Sequence, residues 1–170
     1  MAEQILFLYL RLKDNFDEVY KFISKIEAKV DVKGRIFVPA TYRRMLEAEG
    51  EASLCLRADR VMKCLRLYPT SEWDKIDKEF LSKLNMWDKN DQRLYRQFAS
   101  SVEQIELDAS GRILIQKKHL DAIGVEGEVQ FVGMGSCFEI WTSENLDEEL
   151  MSDEEFAEAL QNKMGGAISL

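Results

Sequence analysis

Residues 30–38 read V-D-V-K-G-R-I-F-V, and residues 107–115 read L-D-A-S-G-R-I-L-I. Asp31, Gly34 and Arg35 recur as Asp108, Gly111 and Arg112 at an offset of 77. The match runs outward: Glu49-Gly50-Glu51 falls on Glu126-Gly127-Glu128. After a shorter loop in the second copy, Cys64-Leu65-Arg66-Leu67-Tyr68 falls on Cys137-Phe138-Glu139-Ile140-Trp141. The chain therefore contains two copies of one unit.

Each copy predicts the same elements. A short strand (Glu27–Asp31; Val102–Asp108) meets a glycine turn, then a second strand (Arg35–Val38; Arg112–Ile115). An aspartate at the turn start accepts backbone N–H bonds and glycine tolerates positive φ, so D-x-x-G reads as a hairpin turn. A short helix follows. Pro39 stands near its start in copy one, with Tyr42, Met45 and Leu46 apolar; copy two has Lys117–Ile123. Two more strands close each unit, with Leu65 and Leu67 alternating with Arg66, and Phe138 and Ile140 with Glu139. Between the copies, Trp73, Ile76, Phe80 and Leu84 mark one helical face, an aromatic stripe read as core. Asp88 is placed to cap a second helix carrying Leu94, Tyr95 and Phe98. In the tail, Ser152 and Glu155 form a capping signal before Phe156, Leu160 and Met164. That amphipathic helix packs on its own domain or meets another subunit. The end at Gly165-Gly166 is expected to fray.

Composition removes several function classes. Of 170 residues, 46% are hydrophobic and 32% charged, a globular balance. No uninterrupted apolar run spans a bilayer. The apolar start Met1–Leu12 lacks a basic n-region and a small-residue cleavage site, so the cytoplasm is expected. Cys55, Cys64 and Cys137 form no C-x-x-C pair and read as buried thiols. His119 is the one histidine and has no ligand cluster beside it. No P-loop, G-x-S-x-G or G-x-G-x-x-G occurs. No catalytic residue, metal, cofactor or small-molecule ligand is indicated, and no membrane association.

The net charge of −8 is unevenly spread. Residues 143–170 carry −7 of it, and the stretch Lys29–Arg66 is net +4. Phosphate contact depends on such local patches, not on bulk charge.

The doubled D-x-x-G-R turn, the helix of Pro39, Tyr42 and Arg43, and the strand of Cys64, Leu65, Leu67, Tyr68 and Pro69 together resemble the MraZ family. Glu72-Trp73 and Phe138-Glu139-Ile140-Trp141 add to the likeness, which covers Phe22 to Leu150. Phe22-Ile23-Ser24 replaces the aromatic and glycine that usually open members, and about twenty residues precede it. The resemblance implies an α+β, mostly β fold: a double-split, swapped-hairpin AbrB-like barrel built by two SpoVT/AbrB-like repeats within one chain. The divisions are an N-terminal extension 1–24, repeat one 25–71, a helical linker 72–101 packed on the barrel, repeat two 102–145 and an acidic tail 146–170. It further implies a ring-like homo-oligomer, associated with the nucleoid, that regulates transcription. Its partner would be double-stranded DNA, at short repeated boxes upstream of its own division and cell-wall operon.

Recognition of that kind needs phosphate contacts for position and base-edge contacts for sequence. Arg35 leads the candidates, because a guanidinium grips phosphate or reads guanine with paired bonds. Lys33 lies in the same turn, Lys29 on the strand before it, and Arg43 and Arg44 on the helix after it. In copy two Arg112 is kept, Ser110 replaces Lys33, and Lys117 and Lys118 restore charge, so the first half is expected to dominate. Asp31 and Asp108 are read as structural together with Gly34 and Gly111, since a carboxylate repels phosphate. Each aspartate is also near enough to pair with its own arginine, which is a role without DNA. Arg57, Arg60, Lys63 and Arg66 lie on or near the longer loop and read as a solvated face, with a subunit contact as the alternative. Against the regulator stand an oligomeric protein-interaction module and an antitoxin; an enzyme has no residues to propose.

Overall fold

The computed structural model describes residues 20–165. The apolar opening Ile5–Leu10 and the expected fraying at Gly166 lie outside them. The fold is α+β. In chain order the described elements are β1 (Lys25–Lys29), β2 (Arg35–Phe37), α1 (Ala40–Ala48), β3 (Ser53–Asp59), β4 (Cys64–Pro69), α2 (Thr70–Ser82) and α3 (Lys89–Ser100). Then follow β5 (Val102–Glu106), β6 (Arg112–Leu114), α4 (Lys117–Ile123), β7 (Glu128–Gly133), β8 (Phe138–Trp141), α5 (Ser143–Glu149) and α6 (Asp153–Met164).

Six strands form one sheet in the order β1-β7-β8-β4-β3-β5, and β2 with β6 forms a separate two-stranded ribbon. All pairs are antiparallel. Strand pairing crosses between the repeats. β1 of the first repeat lies on β7 of the second, and β5 of the second lies on β3 of the first. β2 pairs β6 and β4 pairs β8. Only the β3–β4 and β7–β8 hairpins stay within a repeat.

The expected hairpin at the D-x-x-G turn is therefore corrected. The turn forms, with Gly34 at φ +83° and Gly111 at φ +78°. Yet β1 and β2 share one bridge, Val30–Ile36, and β5 and β6 share one, Leu107–Ile113. Backbone groups must find partners, and those of β1 and β2 find them on β7 and β6 of the other repeat.

Two pairs sit at equivalent positions of both repeats and face each other: Ile36 with Ile113, and Arg66 with Glu139. A pseudo-twofold axis passes through both. At the first, two fully buried isoleucines meet. At the second, Arg66 Nε donates to Glu139 Oε1 at 2.8 Å, and Trp141 Nε1 donates to Glu139 Oε2 at 2.9 Å. Arg66 is thus a strand residue held across the axis, not part of a solvated loop face. Arg57 is also on a strand; Arg60 and Lys63 are in the turn between β3 and β4.

Period-two alternation places Leu54, Leu56, Leu65, Leu67, Val129, Phe131, Phe138 and Ile140 in one core. Burying each such side chain stabilises by about 1.5–3 kcal/mol. From α1, Tyr42 and Leu46 enter the same core. Tyr20 and Phe22, assigned by sequence to an extension, are buried there too, at 1% and 0% exposure. Phe22 packs edge-on against Tyr42 and Phe138 at 5.1 Å, and exchanges both backbone bonds with Gly135. Of the three thiols expected to be buried, Cys55 and Cys64 are, whereas Cys137 is only half-buried. Burial pushes the Cys64 thiol up to about 12 and the Cys137 thiol to about 11.

The linker helices differ from expectation. α2 ends at Ser82, so Leu84 falls beyond it, and neither helix holds a fully buried residue. Trp73 stacks on Phe98 at 5.1 Å and meets Tyr68 at 5.4 Å; Phe80 lies 4.5 Å from Phe98. The aromatic stripe joins the two helices into a pair leaning on the sheet by one end, which leaves it half-buried instead of core. Asp88 caps α3 through the N–H groups of Asn90 and Asp91. Ser152 and Glu155 form the capping box of α6. α6 buries none of its residues fully, and Phe156 and Met164 stay 53% and 41% exposed.

This packing makes the two turn glycines unequal. A Cβ on Gly34 meets the Ile115 carbonyl, which is fixed backbone; one on Gly111 meets the movable Arg43 side chain. Positive φ alone costs a non-glycine residue about 1–3 kcal/mol. Urea unfolding should thus show Gly34→Ala destabilising by at least that much, and more than Gly111→Ala. Arg66→Met should destabilise by about 2–4 kcal/mol, because it strands a buried carboxylate, while Arg66→Met with Glu139→Leu should lose less.

Candidate nucleic-acid interface

Each turn is organised by its aspartate. Asp31 Oδ1 accepts the N–H groups of Lys33 at 2.8 Å and Arg35 at 3.0 Å. Asp31 Oδ2 accepts Arg35 Nε at 2.6 Å. The second turn repeats this: Asp108 Oδ1 accepts Ser110 and Arg112 N–H at 2.9 Å each, and Oδ2 accepts Arg112 Nε at 2.8 Å. Both expected pairs therefore form. They use only Nε of each arginine, and among the described residues the terminal amino groups have no hydrogen-bond partner. The Arg35 and Arg112 side chains keep 36% and 27% of their surface exposed.

Each turn docks on the other repeat. The Gly34 carbonyl accepts Ile115 N–H at 2.9 Å, and the Gly111 carbonyl accepts Val38 N–H at 3.1 Å. Basic residues are thereby mixed between repeats. Lys33 and Lys117 line one groove with Asp31, Leu120 and Glu126, so the first turn shares its surface with the second repeat's helix. The second turn sits against Arg43 of the first repeat's helix. Arg43 is half-buried, and its Nε donates to the Val38 carbonyl at 3.0 Å, which gives it a structural task. Arg44 is exposed, with Nε 3.3 Å from the Ala40 carbonyl. Lys29 is exposed on β1, opposite Glu128 in register. His119 and Lys118 both hold Glu103 Oε2, at 2.9 and 3.0 Å, and lower that carboxyl's pKa.

One part of this face has no counterpart in the sequence reading. Phe37 and Leu114, on the ribbon beside the arginines, are 56% and 54% exposed. Alternation in Arg35-Ile36-Phe37 and Arg112-Ile113-Leu114 held the signal: the isoleucines point in and their neighbours out.

A model described as "MraZ protein, putative antitoxin-like" matches twice, over residues 22–97 and 98–164. The chain belongs to the MraZ family. The two MraZ matches coincide with the two-repeat architecture. A "Transcriptional regulator MraZ" of Bacteroides thetaiotaomicron is 42% identical over 144 residues, 85% of this chain and 92% of that protein. One of Phocaeicola vulgatus is 40% identical over 85% of this chain and 94% of its own. One of Methylobacillus flagellatus is 37% identical over 72% and 82%. No helix among the described residues is long and apolar enough to cross a membrane.

The turns should show in the acid response. Hydrogen bonds from the Arg35 N–H, the Arg35 guanidinium and the Lys33 N–H hold the Asp31 carboxyl down to about 2. Asp108 is lowered by the same arrangement. A lowered folded pKa stabilises above the unfolded value, near 4, and that stability is lost as pH falls towards about 2. Urea midpoints taken across that window should fall less steeply for Asp31→Asn than for wild type. Equal slopes would show that the turn does not couple protonation to folding.

Proposed function

We propose that this chain is a sequence-specific DNA-binding transcriptional regulator of the MraZ type. It binds double-stranded DNA at short repeated boxes upstream of its own operon, in the division and cell-wall gene cluster, as a ring-like homo-oligomer in the cytoplasm at the nucleoid. One observation carries the reading: two Asp-anchored arginines at equivalent turns flank one exposed two-stranded ribbon. Each arginine is oriented through Nε while its amino groups remain open for guanine or phosphate. The names of the relatives support the same function. The cross-repeat pairing of strands supports a double-split AbrB-like barrel completed within one chain.

Arg35 and Lys33 with Lys117 form the stronger contact, and Arg112 with Arg44 the weaker. Lys29 adds phosphate contact from β1. The first repeat's turn keeps its lysine where the second has Ser110. Oligomerisation turns such modest sites into a tight one, because later contacts are intramolecular and add about 100–10,000-fold. The exposed Phe156 and Met164 of α6 favour the tail as a subunit contact, and the same observation favours the second reading, a protein-interaction module without DNA binding.

Fluorescence anisotropy decides between them, with a duplex from the protein's upstream region and a scrambled duplex. Wild type should prefer the upstream duplex, with affinity falling steeply as salt rises. Arg35→Ala should weaken it about tenfold or more, in line with ~1–3 kcal/mol per paired base contact, with its thermal midpoint nearly unchanged. Intact oligomer that prefers neither duplex at low salt would overturn the DNA reading.

A further inference from the structure

The ribbon's outer face presents two large apolar side chains to water in a setting that selects what covers them. Phe37 and Leu114 occupy equivalent places in the repeats. Register sets Arg35 opposite Leu114 and Arg112 opposite Phe37. The Ile36–Ile113 pair lies between them, so the face carries two arginine–apolar pairs related by the pseudo-twofold axis. The Arg112 guanidinium lies 5.7 Å from the centre of the Phe37 ring, which holds charge and ring together. Phe37 and Leu114 share one face of the ribbon with both arginines, which joins apolar and cationic contacts on a single surface. The flanking charge makes the fitting partner an anion with apolar features.

Shape narrows the choice further. A two-stranded antiparallel ribbon fits the major groove of B-DNA, about 12 Å wide. In that groove thymine alone among the bases presents a methyl group, and apolar side chains recognise it by contact. We propose that Phe37 and Leu114 are specificity-determining residues that read thymine methyls beside the bases or phosphates taken by Arg35 and Arg112. The inference rests on the DNA-binding reading of this same face and adds which base it selects. It also makes the two turns one continuous reading surface, instead of two separate clamps.

The test is anisotropy with the full chain and the upstream duplex, prepared either with thymine or with deoxyuridine throughout. Deoxyuridine keeps every hydrogen-bonding edge and removes only the methyl. Wild type should bind the deoxyuridine duplex about fourfold more weakly for each methyl group that Phe37 or Leu114 covers. Phe37→Ser and Leu114→Ser should bind the thymine duplex more weakly than wild type. Each should respond less to the deoxyuridine exchange, and the double variant should not respond. Both positions are solvent-exposed, so thermal midpoints should stay near wild type.

Wild type that prefers the upstream duplex over a scrambled one, but binds thymine and deoxyuridine forms equally, overturns the inference while the DNA reading stands. A Phe37→Ser/Leu114→Ser variant that keeps the full thymine preference overturns it as well. So does a variant that loses its oligomeric state with DNA affinity unchanged, which would assign the apolar pair to a protein contact. Wild type with no preference for the upstream duplex removes the DNA reading and this inference with it.

Discussion

The Gly34 carbonyl accepts the Ile115 amide at 2.9 Å, and the Gly111 carbonyl accepts the Val38 amide at 3.1 Å. Each bond joins a turn of one repeat to the strand exit of the other. The approach is close enough that a Cβ on either glycine would press into what it meets. This reciprocal docking fixes the ribbon, because β2 and β6 are each three residues long and pair with nothing longer. It also delivers Ile36 and Ile113 to the core, and α1 and α4 follow directly from the strands so placed. A glycine with positive φ thus does two things at once: it closes the turn, and it leaves room for the other half of the chain.

Having both copies in one chain changes what the axis can hold. In a symmetric dimer each residue on the axis faces its own copy. Ile36 and Ile113 would satisfy that rule; Arg66 and Glu139 would not. Two buried glutamates or two arginines there would repel and lose solvation together. Here the repeats have diverged into a hydrogen-bonded ion pair, further tied by Trp141. The same freedom separates the two turns, Lys33 against Ser110, and the two helices, Tyr42 against His119. Tyr42 donates to the Ile23 and Ser24 carbonyls, whereas His119 holds Glu103. Equivalent positions thus anchor different neighbours.

The repeat and its element order are legible because D-x-x-G-R is a local signal with a local cause. Strand partnership is not. Alternation tells which face of β1 is buried, but it says nothing about β7, a hundred residues away. Arg66 reads as solvated for the same reason, since its partner lies 73 residues on. Tyr20 carries no core signal because the second repeat has no aromatic at the matching place, and Phe22 is flagged only by standing where family members open with an aromatic. Arg43 reads as a DNA contact from charge alone. Its half-burial over Gly111 follows only from the exchange of turns between repeats. Phe37 is legible only through the alternation about Ile36, and a three-residue strand is too short for that pattern to stand out.

The aspartate beside each arginine opposes phosphate by charge, yet its geometry suits the DNA contact proposed for the turn. A free arginine side chain carries about 2 kcal/mol of rotamer entropy, which any contact must overcome. Asp31 removes much of that freedom in the unbound protein by holding Nε at 2.6 Å, and the same carboxylate is itself fixed by two backbone amides. The charge it adds is largely offset by the guanidinium it binds. What is left facing solvent is a pair of oriented amino groups, four N–H donors in one plane, on a rigid turn. For a phosphate such order adds little, because a flexible cation reaches it equally well. For a base edge, which accepts only paired bonds in one plane, the order raises discrimination. Within the proposed function, the physics of the turn therefore favours base reading over simple phosphate attraction, in keeping with a chain whose overall charge is −8.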